Sequence, residues 1–189
     1  MFVILMGPAG VGKGTQSKRL TEYLKVPRMS SGEMLRQEIQ SGSTLGQAIA
    51  DHLRNGELVS DEQINTMVLK HLEEPQNVNG CLLDGYPRTI AQAETLDQFL
   101  RERQRTVNAV IVMVADPEEL VRRLLSRGNI EGRSDDTLDT IRHRTGVYEK
   151  QTSPLVGYYR RAGIVHEIDA MGTPDAVFER IVRVFEHAA

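Results

Sequence analysis

Residues 7–16, Gly7-Pro8-Ala9-Gly10-Val11-Gly12-Lys13-Gly14-Thr15-Gln16, follow directly on the apolar run Phe2-Val3-Ile4-Leu5-Met6. That run is the length of a buried strand. The next eight residues carry four glycines and a lysine, more than a simple turn needs. Gly7 through Lys13 fit G-x-x-x-x-G-K, and a helical pattern carrying Leu20 and Leu24 follows, so the motif lies between a strand and a helix as it must. The chemistry explains the composition. Backbone N–H groups have to converge on phosphate oxygens, and Cβ atoms would obstruct that curvature. The helix start adds a positive dipole end, and Lys13 can bridge terminal phosphates as a mobile charge. The usual motif continues with Ser or Thr, which ligates Mg²⁺. Here Gly14 stands there and Thr15 follows. Either the magnesium ligand has moved to Thr15, or the loop belongs to a variant class.

Working outward, further short apolar runs are bounded by turn residues: Arg28–Met29 (a poor signal), Cys81–Leu83, Ala109–Ala115 and Ile164–Ile168. Between them lie helical patterns carrying Leu96, Phe99 and Leu100; Leu120, Leu124 and Leu125; and Val177, Ile181, Val184 and Phe185. Pro117 and Pro174 stand where helices would start. Strands alternating with helices predict an α/β fold: a three-layer α/β/α core around a five-stranded parallel sheet, with ligands beyond the carboxyl ends of the strands. Residues 1–189 read as a single domain. Segment 30–59 has helical patterns without a convincing strand and reads as a helical insertion. Residues 126–136 read as a short polar flap, with the excursion from helix beginning near Arg127.

Composition is that of a globular protein, with 40% hydrophobic and 26% charged residues. A net charge of −3 argues against a general nucleic-acid binder. Cys81 is the only cysteine, which excludes an internal disulfide and a multi-cysteine zinc site. No apolar run approaches the ~20 residues of a membrane span, and no basic region precedes the N-terminal apolar stretch. A cytoplasmic monomer with no membrane partner is the default expectation.

The variant loop GPAGVGKGTQ resembles the phosphate loop of adenylate kinases. The resemblance extends over essentially the whole chain. Leu82-Leu83-Asp84-Gly85-Tyr86-Pro87-Arg88-Thr89 is similar to the family signature around D-G-[FY]-P-R. Ser30-Ser31-Gly32-Glu33-Met34-Leu35-Arg36 resembles its monophosphate-site motif, Glu57-Leu58-Val59 the segment that holds adenine and ribose, and Met171-Gly172-Thr173 the backbone offered to the donor base. The flap has roughly ten residues and no cysteine, so it resembles the short-lid form and implies no structural zinc.

The resemblance implies transfer of the γ-phosphoryl of ATP to AMP, giving two ADP, with Mg²⁺ carried on the nucleotide. It places ATP at Gly10, Val11, Gly12, Lys13, Gly14, Thr15, Arg127 and Gly172. It places AMP at Ser31, Arg36, Glu57, Leu58, Val59, Gly85, Tyr86, Pro87, Arg88, Gln92, Arg133 and Arg144. Lys13, Arg88, Arg123, Arg127, Arg133 and Arg144 would gather round the transferred group, since phosphoryl transfer asks chiefly for positioning and charge neutralisation. Asp84 and Thr15 would serve Mg²⁺, in part through water. Gly85 would let a substrate approach the backbone, and the Tyr86–Pro87 bond would be cis. Gln92 would read adenine, its amide offering one donor and one acceptor group. Ser31 serves as helix N-cap, ligand contact, or both. Asp135 and Asp136 are arginine partners across the flap, caps for a helix from Thr137, or both. Arg122 reads as a solvated helix residue.

Two alternatives stay open. One is a different nucleoside monophosphate kinase, of UMP/CMP or GTP:AMP type. The other is a non-catalytic nucleotide-binding regulator, which would have no need for Asp84, Arg88 and the flap arginines together. A GTPase switch is disfavoured by the absence of an N-K-x-D guanine motif.

Overall fold

The computed structural model describes residues 1–55, 57–131 and 138–186, with the side chains of all of these except 53 and 127–131. Among the described residues five strands form one parallel sheet: β1 (Phe2–Met6), β2 (Arg28–Ser30), β3 (Cys81–Asp84), β4 (Val107–Val114) and β5 (Val165–Asp169). Their order is β2-β3-β1-β4-β5. The helices are α1 (Lys13–Leu24), α2 (Ser31–Gln40), α3 (Thr44–Asn55), α4 (Asp61–Leu72), α5 (Ile90–Glu102), α6 (Pro117–Glu131), α7 (Leu138–Val147), α8 (Pro154–Arg160) and α9 (Pro174–Glu186). A π-helical turn, Tyr148–Thr152, joins α7 to α8.

The apolar run that opens the chain is buried at every position. Because successive side chains alternate, Phe2, Ile4 and Met6 enter one core and Val3 and Leu5 the other. The first core also takes Val68 and Leu72 of α4, Leu96 and Leu100 of α5 and Tyr159 of α8. The second takes Leu20 of α1, Leu120 of α6 and Ile181 of α9. Helix layers on both faces explain why β1 is continuously apolar. The poor strand signal at Arg28–Met29 is a real edge strand, extended to Ser30 and held by pairing with Leu82–Asp84.

β1 is central, with β3 paired on one side and β4 on the other. Strand order reverses there, so the crevice beyond its carboxyl end is the place for a ligand. One expectation needs correction: α6 runs to Glu131, so the helix does not give way to an excursion at Arg127. The weakest helix former there is Gly128, and one interior glycine, at a cost of about 1 kcal/mol, does not end a helix.

Candidate active site

The loop after β1 wraps the start of α1. Gly10 and Gly12 have φ of 82° and 100°, in the left-handed region. A Cβ on Gly10 would lie 2.8 Å from Leu124 Cγ and 2.9 Å from the Leu120 carbonyl oxygen. The glycine is therefore demanded by the packing of the loop onto α6 as well as by curvature around a phosphate. Helix α1 has no side-chain N-cap and no acidic residue in its first turn. In contrast α2, α4 and α5 are capped by Ser30, Ser60 and Thr89. The uncapped start of α1 leaves the amides and dipole end that an anion favours. Lys13 Nζ folds back over the loop, donating to the carbonyls of Gly7 at 2.6 Å and Pro8 at 2.9 Å.

Asp84 ends β3, 7% exposed, next to this loop. Its Oδ2 accepts from Ser17 Oγ of α1 and from Arg28 Nη2 of β2, each at 3.2 Å. Arg28 also grips Glu33 of α2 at 2.9 Å. Oδ1 of Asp84 accepts no hydrogen bond among the described residues.

On the other side stands Arg88. Its Nε donates to the Gly85 carbonyl at 2.7 Å, its backbone N–H to Gln92 Oε1 at 2.7 Å, and its carbonyl accepts from Thr152 Oγ1 at 3.0 Å. Burial pulls the pKa of this guanidinium below its ordinary value. The positive charges of Arg144 and Arg36 add to that pull, and Asp84 opposes it. Arg36 and Arg144 thus act on Arg88 at short range, and all three line one cleft, an arrangement suited to an anion.

Ser31 is the first residue of α2, not its cap; Ser30 caps instead, accepting from Glu33 N. The Ser31 hydroxyl is buried and donates to the Gly85 carbonyl at 2.7 Å. Gly85 has φ 84°, and a Cβ there would lie 2.7 Å from Ser31 Oγ and 3.0 Å from Arg88 Nη2. The protein's own Ser31 and Arg88 approach this glycine, a demand for the space that the sequence reading did not include. The Tyr86–Pro87 bond is cis.

Tyr86 does not line the cleft. It is 1% exposed in the core, its hydroxyl donating to Asn65 Oδ1 at 2.7 Å and the Gln92 carbonyl at 3.1 Å. Burial pushes its pKa up. Its ring belongs with the apolar side chains of β3, α4 and α5, and this overrides its position inside the motif. Gln92 does line the cleft, although it is 2% exposed. Its Nε2 donates to Asp61 Oδ1 at 2.6 Å.

A single cleft of about 1290 Å³ joins these parts. It exceeds the ~300–1,000 Å³ usual for one small ligand. Gly10, Val11, Gly12, Lys13, Gly14, Thr15, Ser31, Arg36, Glu57, Leu58, Val59, Asp84, Gly85, Pro87, Arg88, Gln92, Arg123, Arg144 and Gly172 all line it. Arg123 is fixed by Glu119, Nε to Oε1 at 2.7 Å, and donates to the Ala170 carbonyl at 3.3 Å. Arg123, with Arg122, holds the Glu119 carboxyl below its usual range. Arg122 itself is 78% exposed, as a solvated helix residue should be. Arg133, Asp135, Asp136 and the side chain of Arg127 lie outside the described residues.

Sequence reasoning missed Ser17, Arg28, Asp61 and Glu119. Each acts through a partner remote in sequence or hidden in an ordinary helix, and no local pattern marks it. Among the described residues no helix is long and apolar enough to cross a membrane.

A G-x-x-x-x-G-K loop between a strand and a helix, at the switch point of a parallel sheet, puts the chain among the P-loop nucleotide-binding proteins. The family model described as adenylate kinase matches residues 5–164. A relative from a Nocardioides species, named adenylate kinase, is 44% identical over 186 residues, covering 98% of this chain and 97% of its own. Another of that name, from Thermobifida fusca, is 42% identical over 189 residues with both chains fully covered. A third, from Thermus thermophilus, is 42% identical over 179 residues, covering 95% of this chain and 94% of its own. The chain belongs to the adenylate kinase family and is a phosphotransferase.

Proposed function

We propose that the chain catalyses reversible phosphoryl transfer between ATP and AMP, giving two ADP. The observation that carries this reading is one cleft in which the uncapped, amide-rich start of α1 faces the Arg36–Arg88–Arg144 cluster. An anion site and an arginine cluster across one space suit a donor and an acceptor that both bear phosphate.

In this reading the loop amides and Lys13 hold the donor's β- and γ-phosphates. Lys13 gives up its contacts to the Gly7 and Pro8 carbonyls when phosphate arrives. Arg36 and Arg88 hold the acceptor phosphate, and the anchors on Arg88 set its position before binding. Arg123 and Arg144, with Arg127 and Arg133, neutralise charge on the transferred group. Glu57, Leu58, Val59 and Gln92 hold the acceptor nucleoside, and Gly172 faces the donor base. No general base is needed, because the attacking AMP phosphate is already anionic at neutral pH.

The residues present fit a magnesium ion. Asp84 turns a carboxylate with one oxygen unengaged toward the cleft, Thr15 adds a hydroxyl, and hard oxygen ligands beside substrate phosphates are the set that ion prefers. Bound there with the nucleotide, it would neutralise charge on the phosphates. The helical insertion 30–59 and the lid 126–136 exclude water by closing over both nucleotides. The adenylate kinase lid is itself a standing example of such gating, applied here to this chain. We assign the protein to the cytoplasm as a monomer.

A coupled assay of purified protein with ATP, Mg²⁺ and each nucleoside monophosphate tests the proposal. AMP should give the highest kcat/KM. Clear superiority of CMP or UMP would overturn it, and ATP binding without ADP formation would identify a non-catalytic regulator.

A further inference from the structure

The side-chain amide of Gln92 is held at both ends. Oε1 accepts the Arg88 backbone N–H at 2.7 Å, and Nε2 donates to Asp61 Oδ1 at 2.6 Å. A peptide N–H can only donate and an ionised carboxylate can only accept, so these partners dictate which end is oxygen and which is nitrogen. Turning the amide over would set N–H against N–H and oxygen against oxygen. Asp61 is fixed in its turn. It is the first residue of α4, behind the Ser60 cap, and both its oxygens accept from Thr89 Oγ1 at 3.0 Å.

The amide has capacity left. A glutamine side chain offers two N–H donors and two lone pairs on oxygen, and one of each is used. The remaining N–H and lone pair come in a fixed order along the cleft that Gln92 lines. A 6-aminopurine presents a donor at its amino group beside an acceptor at ring N1. A 6-oxopurine presents an acceptor at O6 beside a donor at N1–H. The two patterns are mirror opposites, and an amide locked one way round can satisfy only one of them.

We propose that Asp61 is a positioning residue that fixes which way round the Gln92 amide meets the acceptor base, and so sets the preference for a 6-aminopurine over a 6-oxopurine monophosphate. The inference rests on the reading above that Gln92 contacts the acceptor base. Asp61 does not line the cleft, so it acts through the groups it bonds, Gln92 and the α5 cap Thr89.

The test is kcat/KM for AMP and for IMP, with ATP and Mg²⁺ saturating, in the wild type and in Asp61→Asn, Asp61→Leu and Gln92→Ala variants. Asparagine can accept from Gln92 Nε2 or, turned over, donate to Gln92 Oε1, so Asp61→Asn removes the oxygen-against-oxygen clash that opposes reversal while conserving volume, and leaves the Arg88 N–H as the one remaining constraint. A correctly matched bidentate contact to a base is worth roughly 1–3 kcal/mol of discrimination, so the AMP/IMP ratio should fall about tenfold or more in Asp61→Asn. The fall should arise from KM for AMP rising and KM for IMP falling, with kcat for AMP little changed. A merely structural loss would lower both acceptors together and leave the ratio where it was. If Gln92→Ala collapses the ratio while both Asp61 variants keep it, Asp61 has no such role and the Gln92 reading stands. If Gln92→Ala also keeps the ratio, the Gln92 reading falls and the proposal with it. A melting curve identifies any variant that fails to fold; Asp61→Asn, the smaller change, then decides the matter.

Discussion

Replacing Gly85 by alanine separates two reasons for a glycine in the D-G-Y-P-R motif. If the glycine serves only an incoming nucleotide, Gly85→Ala leaves stability untouched and raises the KM for AMP. The structure demands more. A residue with a side chain at φ 84° pays about 1–2 kcal/mol for the left-handed backbone. The new Cβ would also lie 2.7 Å from Ser31 Oγ, so the buried hydroxyl must turn away from the Gly85 carbonyl. That loses a hydrogen bond worth about 1 kcal/mol. Arg88 Nη2, at 3.0 Å, is the far end of a flexible side chain and moves at little cost to stability, although it leaves its place. The sum is about 2–3 kcal/mol, which in a chain of this size lowers Tm by roughly 5–10 °C. Displacing one charge-assisted phosphate contact should raise the KM for AMP about tenfold or more, with the KM for ATP nearly unchanged. Thermal denaturation without nucleotide, followed by steady-state kinetics, reads both effects. Gly14→Ala is the control. It lies in the first turn of α1, and a Cβ there would meet nothing within 4 Å, so Tm should hold or rise, by up to about 1 kcal/mol of added stability. An unchanged Tm in Gly85→Ala would refute the packing argument, whatever happens to KM.

Lys13→Met should keep the helical circular-dichroism spectrum and lose turnover by about 10²–10³-fold or more, since it deletes a cation aimed at developing phosphate charge; near-normal turnover in the folded variant would sink that role. Asp97 accepts from Tyr158 and Tyr159, and burial raises its pKa above the ordinary carboxylate value. The folded state therefore binds that proton more tightly than the unfolded state, so this contribution to stability is present at low pH and is lost as pH rises from the ordinary value through the raised one. Asp97→Asn should flatten the decline over that window in urea titrations, and an identical pH profile would show that Asp97 is not its source.

What the sequence made legible is what short-range pattern encodes. The unbroken apolar run of Phe2–Met6, the spacing of Gly12 and Lys13, and the helix starts at Pro117 and Pro174 are local, and the structure has them in those places. Apart from the end of α6, the places where the reading fell short are tertiary. Tyr86 sits inside a binding motif, yet its ring packs in the core because α4 and α5 meet there. Arg28 reads as a charge in a weak strand, and its importance lies in Asp84, 56 residues away. Asp61 stands in no motif, and its engagement with Gln92 spans 31 residues. No periodicity carries such pairs. Cys81 reads as the start of a short apolar run, and it is buried there; burial pushes its thiol up to about 12, which makes it a small core residue with little thiolate character.

The same long-range bonds tie the two sides of the cleft into one frame. Ser17 on the phosphate-loop helix bonds Asp84; Asp84 bonds Arg28; Arg28 grips Glu33 on α2; and Ser31 of α2 bonds the Gly85 carbonyl that also anchors Arg88. Asp84 is the joint of that frame as well as the carboxylate placed to serve magnesium. Arg28 has Nε buried without a hydrogen-bond partner among the described residues, and removing Asp84 would leave its part-buried cation held by Glu33 alone. Loss of activity on substituting Asp84 therefore mixes two causes: a missing oxygen ligand and a disordered acceptor side. They differ in what extra magnesium does. A ligand defect yields to higher Mg²⁺ with the KM for AMP intact, whereas a frame defect raises the KM for AMP at every Mg²⁺ concentration.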